Sequence, residues 1–555
     1  VGAGARRRSS ILSQPLLEAI RETEDETFDE TYHFDLLALG GGVATGHWAR
    51  AISGSLAERG LTAGIISGDC PGLAPYERPA LSKDFLNPGQ DCLFDFADSG
   101  PSNFPFCCKG SGGNGQSSQW YEEQGITLLF SCQAIRANLD SKIITVKRVL
   151  PDGNDGLLYQ QTLKVEYKKL IIATGVRPRR ILDNTCGNFA KSIQGSCFCS
   201  RHSDISGSPP VLSEPERFGF GSVHYLRDLG DAMKLVEAMG GVEADGQETC
   251  RDAVVVVGGG LISCEVASAI ATFYGDISLT MVIPGEEVLQ GTGFGKDVGR
   301  FYEKQLSRAM KLAKGYRVSR LWDLEEVGDF PTLEQTPNGP SLKKTLPRTF
   351  GPADPCFTTC RGLVLSSTQS GEVWLPARFV VVGIGSIPNS ELFASSLKMN
   401  PDGGIITDSS LRASHPSRDV FAAGDVASAP LPLAGGRQVR MEHVHWAREM
   451  GQHVAQVMLE PEGQQATGPF NAVPSFYSRF LDLSWQFYGF TEGEVVILGM
   501  DTFPSSRSFG AFWLKDGRIV GALLETSSSE VDHSVILERI ARERPRVLST
   551  KRLSK

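Results

Sequence analysis

Short, continuous apolar runs alternate with amphipathic stretches along most of this chain, the pattern of buried parallel strands separated by helices. Phe34–Leu39 is one such run, and it enters Gly40-Gly41-Gly42-Val43-Ala44-Thr45-Gly46. Ala253–Val257 is another, and it enters Gly258-Gly259-Gly260-Leu261-Ile262-Ser263. Each predicts a strand, a tight turn and a helix, the context that a dinucleotide-binding turn requires. The glycines let backbone approach a pyrophosphate, whose charge is met by the N–H groups and dipole of the helix start. Alone, either turn reads equally well as an ordinary strand–helix connection. Two in order predict two nucleotides bound face to face, as in a flavoprotein reduced by a nicotinamide. The third small position is Thr45 in the first turn and Ser263 in the second, where Gly or Ala allows the closest packing. Weakened helix–strand packing is expected at both.

Thr62–Ser67 predicts a second strand ending at Gly68-Asp69, where Asp69 is placed to accept from a ribose hydroxyl. Leu170–Gly175 is a further buried strand with a small-residue end. Residues 181–218, rich in Gly, Ser, Pro and Cys, read as a surface insertion. Residues 329–357, polar and proline-rich, read as a second one. Phe379–Gly385 closes the second strand–helix unit, and Val420–Val426 runs into a turn carrying Asp425. From Pro474 onward, alternating aromatic-rich segments predict a third, mostly antiparallel domain. The fold class is therefore α/β: two Rossmann-like FAD/NAD(P)-binding domains, the second inserted in the first, plus a smaller C-terminal α+β domain. The expected boundaries are a tail over 1–31, the FAD-binding domain over 32–218 and 381–470, the NAD(P)-binding domain over 219–380, and the C-terminal domain over 471–555.

Composition narrows the function classes. The 555 residues carry a net charge of −9, so no nucleic-acid footprint is visible. No apolar run approaches the roughly 18–20 residues that cross a bilayer, and no membrane span is expected. Twelve cysteines are scattered without a CxxC pair. Cys197-Phe-Cys199 near His202, and Cys356 with Cys360, are the best metal candidates, but neither has a convincing zinc spacing. Reduced intracellular thiols and no metal centre are the expectation. Arg6-Arg7-Arg8-Ser9-Ser10 reads either as the end of an organelle transit peptide or as a solvated tail. An intracellular location follows, in the cytoplasm or an organelle such as a plastid or mitochondrion. The oligomeric state stays open.

Several segments carry a more specific signal. They are Gly40–Gly46, Ala74-Pro75-Tyr76-Glu77-Arg78-Pro79-Ala80-Leu81-Ser82-Lys83, Tyr225-Leu226-Arg227-Asp228, Gly424-Asp425-Val426-Ala427 and Glu442-His443-Val444. The tail adds Phe476-Tyr477-Ser478-Arg479 and Leu483-Ser484-Trp485-Gln486-Phe487-Tyr488-Gly489. With these the chain resembles the monodehydroascorbate reductase family of FAD enzymes. The glycine turns belong to the whole superfamily, and the PYERPALSK stretch is shared with ferredoxin-type reductases. The tail is the specific part.

The resemblance implies that Gly40, Gly41, Gly42, Val43 and Ala44 hold the FAD pyrophosphate and Asp69 its ribose. Family members usually have Glu at that last position, so Asp69 is a shorter arm. It implies further FAD contacts at Arg78, Lys83, Ala134, Arg227, Asp228, Asp425 and Val444, and a cofactor contact at Tyr477 as well. For the nicotinamide cofactor it implies Gly259, Gly260, Leu261, Ile262, Ser263 and Glu265, with Gly385, Glu442 and His443 nearer the nicotinamide. The chain departs from the family at Gly285 and Gly291, where an acid and an arginine are usual. Glu286 and Glu287 remain to accept from a 2′-hydroxyl, and the missing arginine removes a 2′-phosphate partner. NADH is therefore expected over NADPH, which stays possible.

The implied substrate is monodehydroascorbate, a small anionic radical, recognised by Arg448, Tyr477 and Arg479, with His443 near the reacting edge. Guanidinium groups give charge-assisted hydrogen bonds to such oxygens, and a tyrosine offers a flat wall with a polar tip. The implied reaction is hydride transfer from NADH to the flavin, then single electrons to two radicals in turn. Trp485, Phe487 and Tyr488 read as core. No Cys-x4-Cys pair follows the first turn, so a dithiol relay is not expected. Two alternatives stand beside this reading: a ferredoxin- or rubredoxin-type reductase, and a catalytically weakened flavoprotein acting as redox sensor or scaffold.

Overall fold

The computed structural model describes residues 28–69, 75–77, 81–87, 108, 115–151, 158–181, 223–240, 253–274, 277–321, 332–336, 339–343, 362–367, 371–377, 379–461, 464, 466–526 and 532–547. The basic N-terminal stretch, Arg78, the paired cysteines 197/199 and 356/360, and nearly all of 181–218 lie outside them.

The first sheet grows from the first apolar run. β1 (Glu30–Leu39) leads into α1 (Val43–Arg59) and returns as β2 (Ala63–Ile66). With β3 (Ile126–Leu129), β4 (Cys132–Asn138), β5 (Ile143–Pro151) and β6 (Leu158–Ile172) the order is β3-β2-β1-β6-β5-β4. Contacts among β3, β2, β1 and β6 are parallel, while β5 and β4 extend the sheet as antiparallel strands. Leu36–Leu39 are all buried, the consequence of a strand covered on both faces. Val420–Ala422, far along the chain, pairs parallel with β6. The first sheet is thus completed only after the chain has built its second unit.

That second unit contains β7 (Val223–Tyr225), α2 (Leu229–Gly240), β8 (Ala253–Val257), α3 (Leu261–Phe273), β9 (Ser278–Ile283), α4 (Lys296–Leu306), β10 (Lys311–Lys314) and β11 (Phe379–Val382). Its strands form an all-parallel sheet in the order β10-β9-β8-β11-β7. Between β10 and β11 the chain makes a separate five-stranded sheet. There, Thr332–Thr336 and Gly339–Lys343 pair as a hairpin, inside the stretch whose composition suggested an insertion. Proline and polar content marked the turn but concealed the strands.

α5 (Val444–Met458) lies across α1. A Cβ at Gly451 would fall 2.1 Å from the Ala44 carbonyl oxygen, so the crossing requires glycine and sets the middle of α5 against the first turn of α1. The remaining chain is an antiparallel sheet of β12 (Ser475–Phe480), β13 (Leu483–Gly489), β14 (Glu494–Leu498), β15 (Phe509–Lys515) and β16 (Arg518–Glu525), ordered β12-β13-β16-β15-β14. Burial alternates strictly along β13, with Leu483, Trp485 and Phe487 inward. Phe294 of the second unit stacks on Phe476 at 5.7 Å and meets Trp485 edge-on at 5.1 Å. Each such aromatic pair contributes about 1 kcal/mol beyond its buried area. This joint fixes β12, and with it Tyr477 and Arg479, against the second unit.

Candidate functional site

Both glycine turns have the local geometry of an anion site. Gly40 has φ +116°, and a Cβ on it would lie 2.2 Å from the Ala173 carbonyl oxygen. Gly258 repeats this, with φ +127° and a Cβ 2.3 Å from the Gly383 oxygen. Gly42 and Gly260, the residues preceding α1 and α3, would meet nothing within 4 Å. Neither helix has a side-chain cap or an acid in its first turn. Each helix start thus has room in front of it and no capping side chain or first-turn acid on its N–H groups, which fits the pyrophosphates of two dinucleotides. Val43 and Ala44 open α1, and Leu261 with the half-exposed Ile262 opens α3. Asp69 stands beside the first turn, accepting from the Ser67 hydroxyl at 2.8 Å. Gly41 is small for that reason: a Cβ there would lie 2.2 Å from Ser67 Oγ.

The expected loosening at Thr45 and Ser263 does not occur. The buried Thr45 hydroxyl donates to the Gly40 carbonyl at 2.7 Å, and the buried Ser263 hydroxyl donates to Gly383 at 2.9 Å. Thr45 pins its own turn and Ser263 ties the start of α3 to the residue after β11, so neither prises helix from strand. Thr45→Val keeps the shape and removes the bond, so we expect a loss of about 1 kcal/mol and some FAD release. The thermal midpoint of the holoprotein and the flavin retained through gel filtration measure it.

Lys83 joins the two units. Its Nζ lies 2.8 Å from Glu265 Oε1 on α3, and both side chains are largely buried. Glu265 also accepts from the Ser478 hydroxyl at 2.5 Å and from that of Ser82. Lys83 sits over the Tyr477 ring at 5.6 Å, and His443 meets the same ring edge-on at 5.1 Å. Tyr477 is nonetheless 52% exposed, unusual for a large aromatic ring within such a cluster. Arg479 shares its face of β12, two residues on, and is also exposed. The structure thus gathers Lys83, Glu265, His443, Tyr477 and Arg479.

His443 precedes α5, and its Nδ1 accepts from the His445 N–H at 3.4 Å. Burial, with His445, Lys83 and Arg448 nearby, depresses the imidazole to about 4. The ring stays neutral, so it can orient but does not serve as a proton store near neutral pH. From an ordinary value near 6.5, the unfolded chain binds a proton that the folded chain refuses. This stabilising contribution is full above about pH 6.5 and is lost as pH falls toward about 4, by about 3 kcal/mol. We expect His443→Gln to lose less stability than the unsubstituted protein between about pH 7 and about pH 5, read by urea denaturation.

Arg448 has a second engagement that the sequence did not disclose. Its Nε donates to Glu77 Oε1 at 2.9 Å and its Nη2 contacts Oε2, while His47 Nε2 lies 3.0 Å from Oε1. Burial pushes the Glu77 carboxyl up, but the His47 and Arg448 hydrogen bonds outweigh it and hold the group at about 2. Arg227 lies 3.3 Å from Asp425, two proposed FAD contacts that thus meet one another. The Asp228 carboxylate accepts from the Asp231 N–H at 2.9 Å at the start of α2. Glu442 is exposed, paired with Arg440 at 2.6 Å and accepting from Ser386, next to Gly385. Ala134 lies half-buried on β4, and Val444 opens α5. In the departed loop, a Cβ on Gly285 would strike Gln290 Oε1 at 2.2 Å. Glu286 is exposed there, and Glu287 faces Arg300 at 3.8 Å.

Two glycine turns, each following a parallel-paired strand of a separate sheet and bridged by a lysine–glutamate pair, define a two-dinucleotide flavin reductase. The chain belongs to the pyridine nucleotide-disulphide oxidoreductase family, whose model matches residues 34–327 and 351–451. Residues 473–555 match the monodehydroascorbate reductase 3-like C-terminal domain, and the relatives lie in the monodehydroascorbate reductase family. The enzyme of Solanum lycopersicum is 31% identical, covering 92% of this chain and 95% of that protein. The seedling isozyme of Cucumis sativus is 31% identical, covering 95% and 98%. Among solved structures, the covalent putidaredoxin reductase–putidaredoxin complex has a TM-score of 0.61 at 20% identity, covering 95% of this chain and 96% of that one. The NADH-bound water-forming NADH oxidase of Lactobacillus brevis has a TM-score of 0.57 at 17% identity, covering 92% and 91%. Those two likenesses concern the fold. The chain is an oxidoreductase enzyme, and FAD and NAD(P)H are its cofactors. None of the described helices is long and apolar enough to cross a membrane.

Proposed function

We propose that this enzyme uses NADH to reduce monodehydroascorbate radical to ascorbate. The observation that carries the reading is the gathering of Lys83, His443, Tyr477 and Arg479 where the two glycine-turn units meet. The match of the C-terminal segment to the monodehydroascorbate reductase 3-like domain supports it over a ferredoxin-type reductase. Bound FAD supplies the conversion from a paired to a single-electron donor.

The chain's own residues then have distinct work. Gly41, Gly42 and the first turn of α1 hold one pyrophosphate, with Asp69 on its ribose. Gly259, Gly260 and the first turn of α3 hold the other. Lys83, fixed by Glu265, places positive charge beside the flavin. Tyr477 walls the acceptor site, and the Arg448 and Arg479 guanidiniums donate to the anion's oxygens. Glu77 holds Arg448 by two N–H groups, so the acceptor meets an aimed guanidinium rather than a mobile one.

Exposed Glu286, with no arginine between Gly285 and Gly291, supports NADH over NADPH by about tenfold or more in kcat/KM. We infer an intracellular site of action, in cytoplasm or organelle; rice relatives are named as peroxisomal and cytosolic forms. Steady-state oxidation of NADH and of NADPH with enzymatically generated monodehydroascorbate tests the reading. Turnover with a ferredoxin-type partner and none with the radical would sink it.

A further inference from the structure

We propose that His47, Glu77 and Cys108 form a binding site for a thiophilic divalent cation, with zinc the best match, and that its occupation disengages Arg448. The donor atoms of these three residues all lie within 4.8 Å of one another. His47 and Cys108 are buried, and Glu77 gives the cluster its opening to solvent. Tetrahedral zinc with bonds of about 2.0–2.3 Å keeps its ligand atoms roughly 3.3–3.8 Å apart, so small side-chain rotations close the set around an ion. A water completes it as the fourth ligand. Imidazole, carboxylate and thiolate together suit zinc better than magnesium or calcium, which prefer oxygen alone.

The thiol is brought there by specific packing. Gln116 N–H donates to the Cys108 carbonyl at 2.9 Å, and the Gln116 side-chain amide donates to Gly46 at 2.8 Å. Cys108 Sγ lies 2.3 Å from where a Cβ on residue 46 would stand, so glycine at that position lets the thiol reach α1 beside His47. The charges also balance. Binding releases the thiol proton to solvent, and thiolate plus carboxylate then neutralise the dication. The Gln452 amide lies 3.3 Å from His47 Nδ1. With its oxygen turned to that nitrogen it accepts Nδ1–H and leaves Nε2 for the metal, the outer partner that ligating histidines commonly have.

The cation and Arg448 compete for one carboxylate. Metal on Glu77 Oε1 takes the oxygen that Arg448 Nε now uses, and its charge repels the guanidinium. This consequence rests on Arg448 being an acceptor-binding residue; the binding itself does not.

The test titrates zinc chloride into the FAD-loaded protein and into Cys108→Ser by calorimetry, then follows each half-reaction by stopped flow with and without zinc. We expect one equivalent more in the unsubstituted protein than in Cys108→Ser. Zinc should slow re-oxidation by the radical about tenfold while bleaching by NADH keeps its rate. Without zinc, Cys108→Ser should turn over normally. Equal zinc binding in both proteins would assign the metal to other thiols and overturn the site. Cys108-dependent binding that leaves re-oxidation untouched, or slows both half-reactions alike, would keep the site and overturn its link to Arg448. Glu77→Gln repeats the binding comparison should Cys108→Ser fail to fold.

Discussion

Lys83→Met is expected to slow bleaching of the bound flavin by NADH about a hundredfold, the usual scale for removing one electrostatic stabiliser from a reacting centre. The same change leaves Glu265, whose side chain is 6% exposed, without its cation. Its two serine hydroxyl partners remain, so the stability cost is about 3 kcal/mol, at the lower end for breaking a buried pair. Denaturant midpoints measure the second effect and anaerobic stopped flow the first. Adding Glu265→Gln should restore most of the stability, because the carboxylate no longer needs a counter-charge. It should not restore the rate, which depends on the lysine. Joint recovery of both would mean that Lys83 acts only as a structural tie between the two units.

Arg448→Ala should act on the opposite half of the cycle. Loss of a charge-assisted donor to the radical lowers its kcat/KM by about tenfold to a hundredfold, while reduction by NADH stays within about twofold. Arg448 is 38% exposed and Glu77 keeps His47, so solvent screening limits the stability cost to about 1 kcal/mol. Arg448→Lys retains charge but cannot reproduce the two-point hold on Glu77, and should recover only part of the acceptor rate. Equal damage to both half-reactions would instead mark Arg448 as a scaffold residue. The two variants together separate the proposed reducing and oxidising faces of one site.

What the sequence disclosed follows from the kind of information periodicity carries. Continuous runs such as Phe34–Leu39 and Ala253–Val257 announce strands covered on both faces, and glycine after each announces a turn with positive φ. Alternation over Leu483–Gly489 likewise announced a sheet with one inward face, and it places Trp485 and Phe487 in the core as read but turns Tyr488, also read as core, to the half-buried opposite face. Local patterns do not say which distant group a long side chain will meet. Glu77 and Arg448 are 371 positions apart, and neither motif hints at the other. Lys83 and Glu265 were each legible as cofactor contacts, but not as a pair. Thr45 and Ser263 were read by size alone. Size predicted weakened helix–strand packing, whereas their hydroxyls found carbonyls to bond. The hairpin over Thr332–Lys343 escaped because β-bridges compensate for a poor local pattern. The cluster at His47 lay beyond any spacing rule, since its three members come from separate segments.

In the proposed cycle NADH electrons pass through bound flavin to monodehydroascorbate at this site. An anaerobic absorbance spectrum of the FAD-loaded protein tests it most directly, taken before and after NADH and again after enzymatically generated radical. The expected result is a flavin band that NADH bleaches and the radical restores. A bound-flavin band that neither NADH nor NADPH bleaches would contradict it, and would turn the second glycine turn into a structural relic.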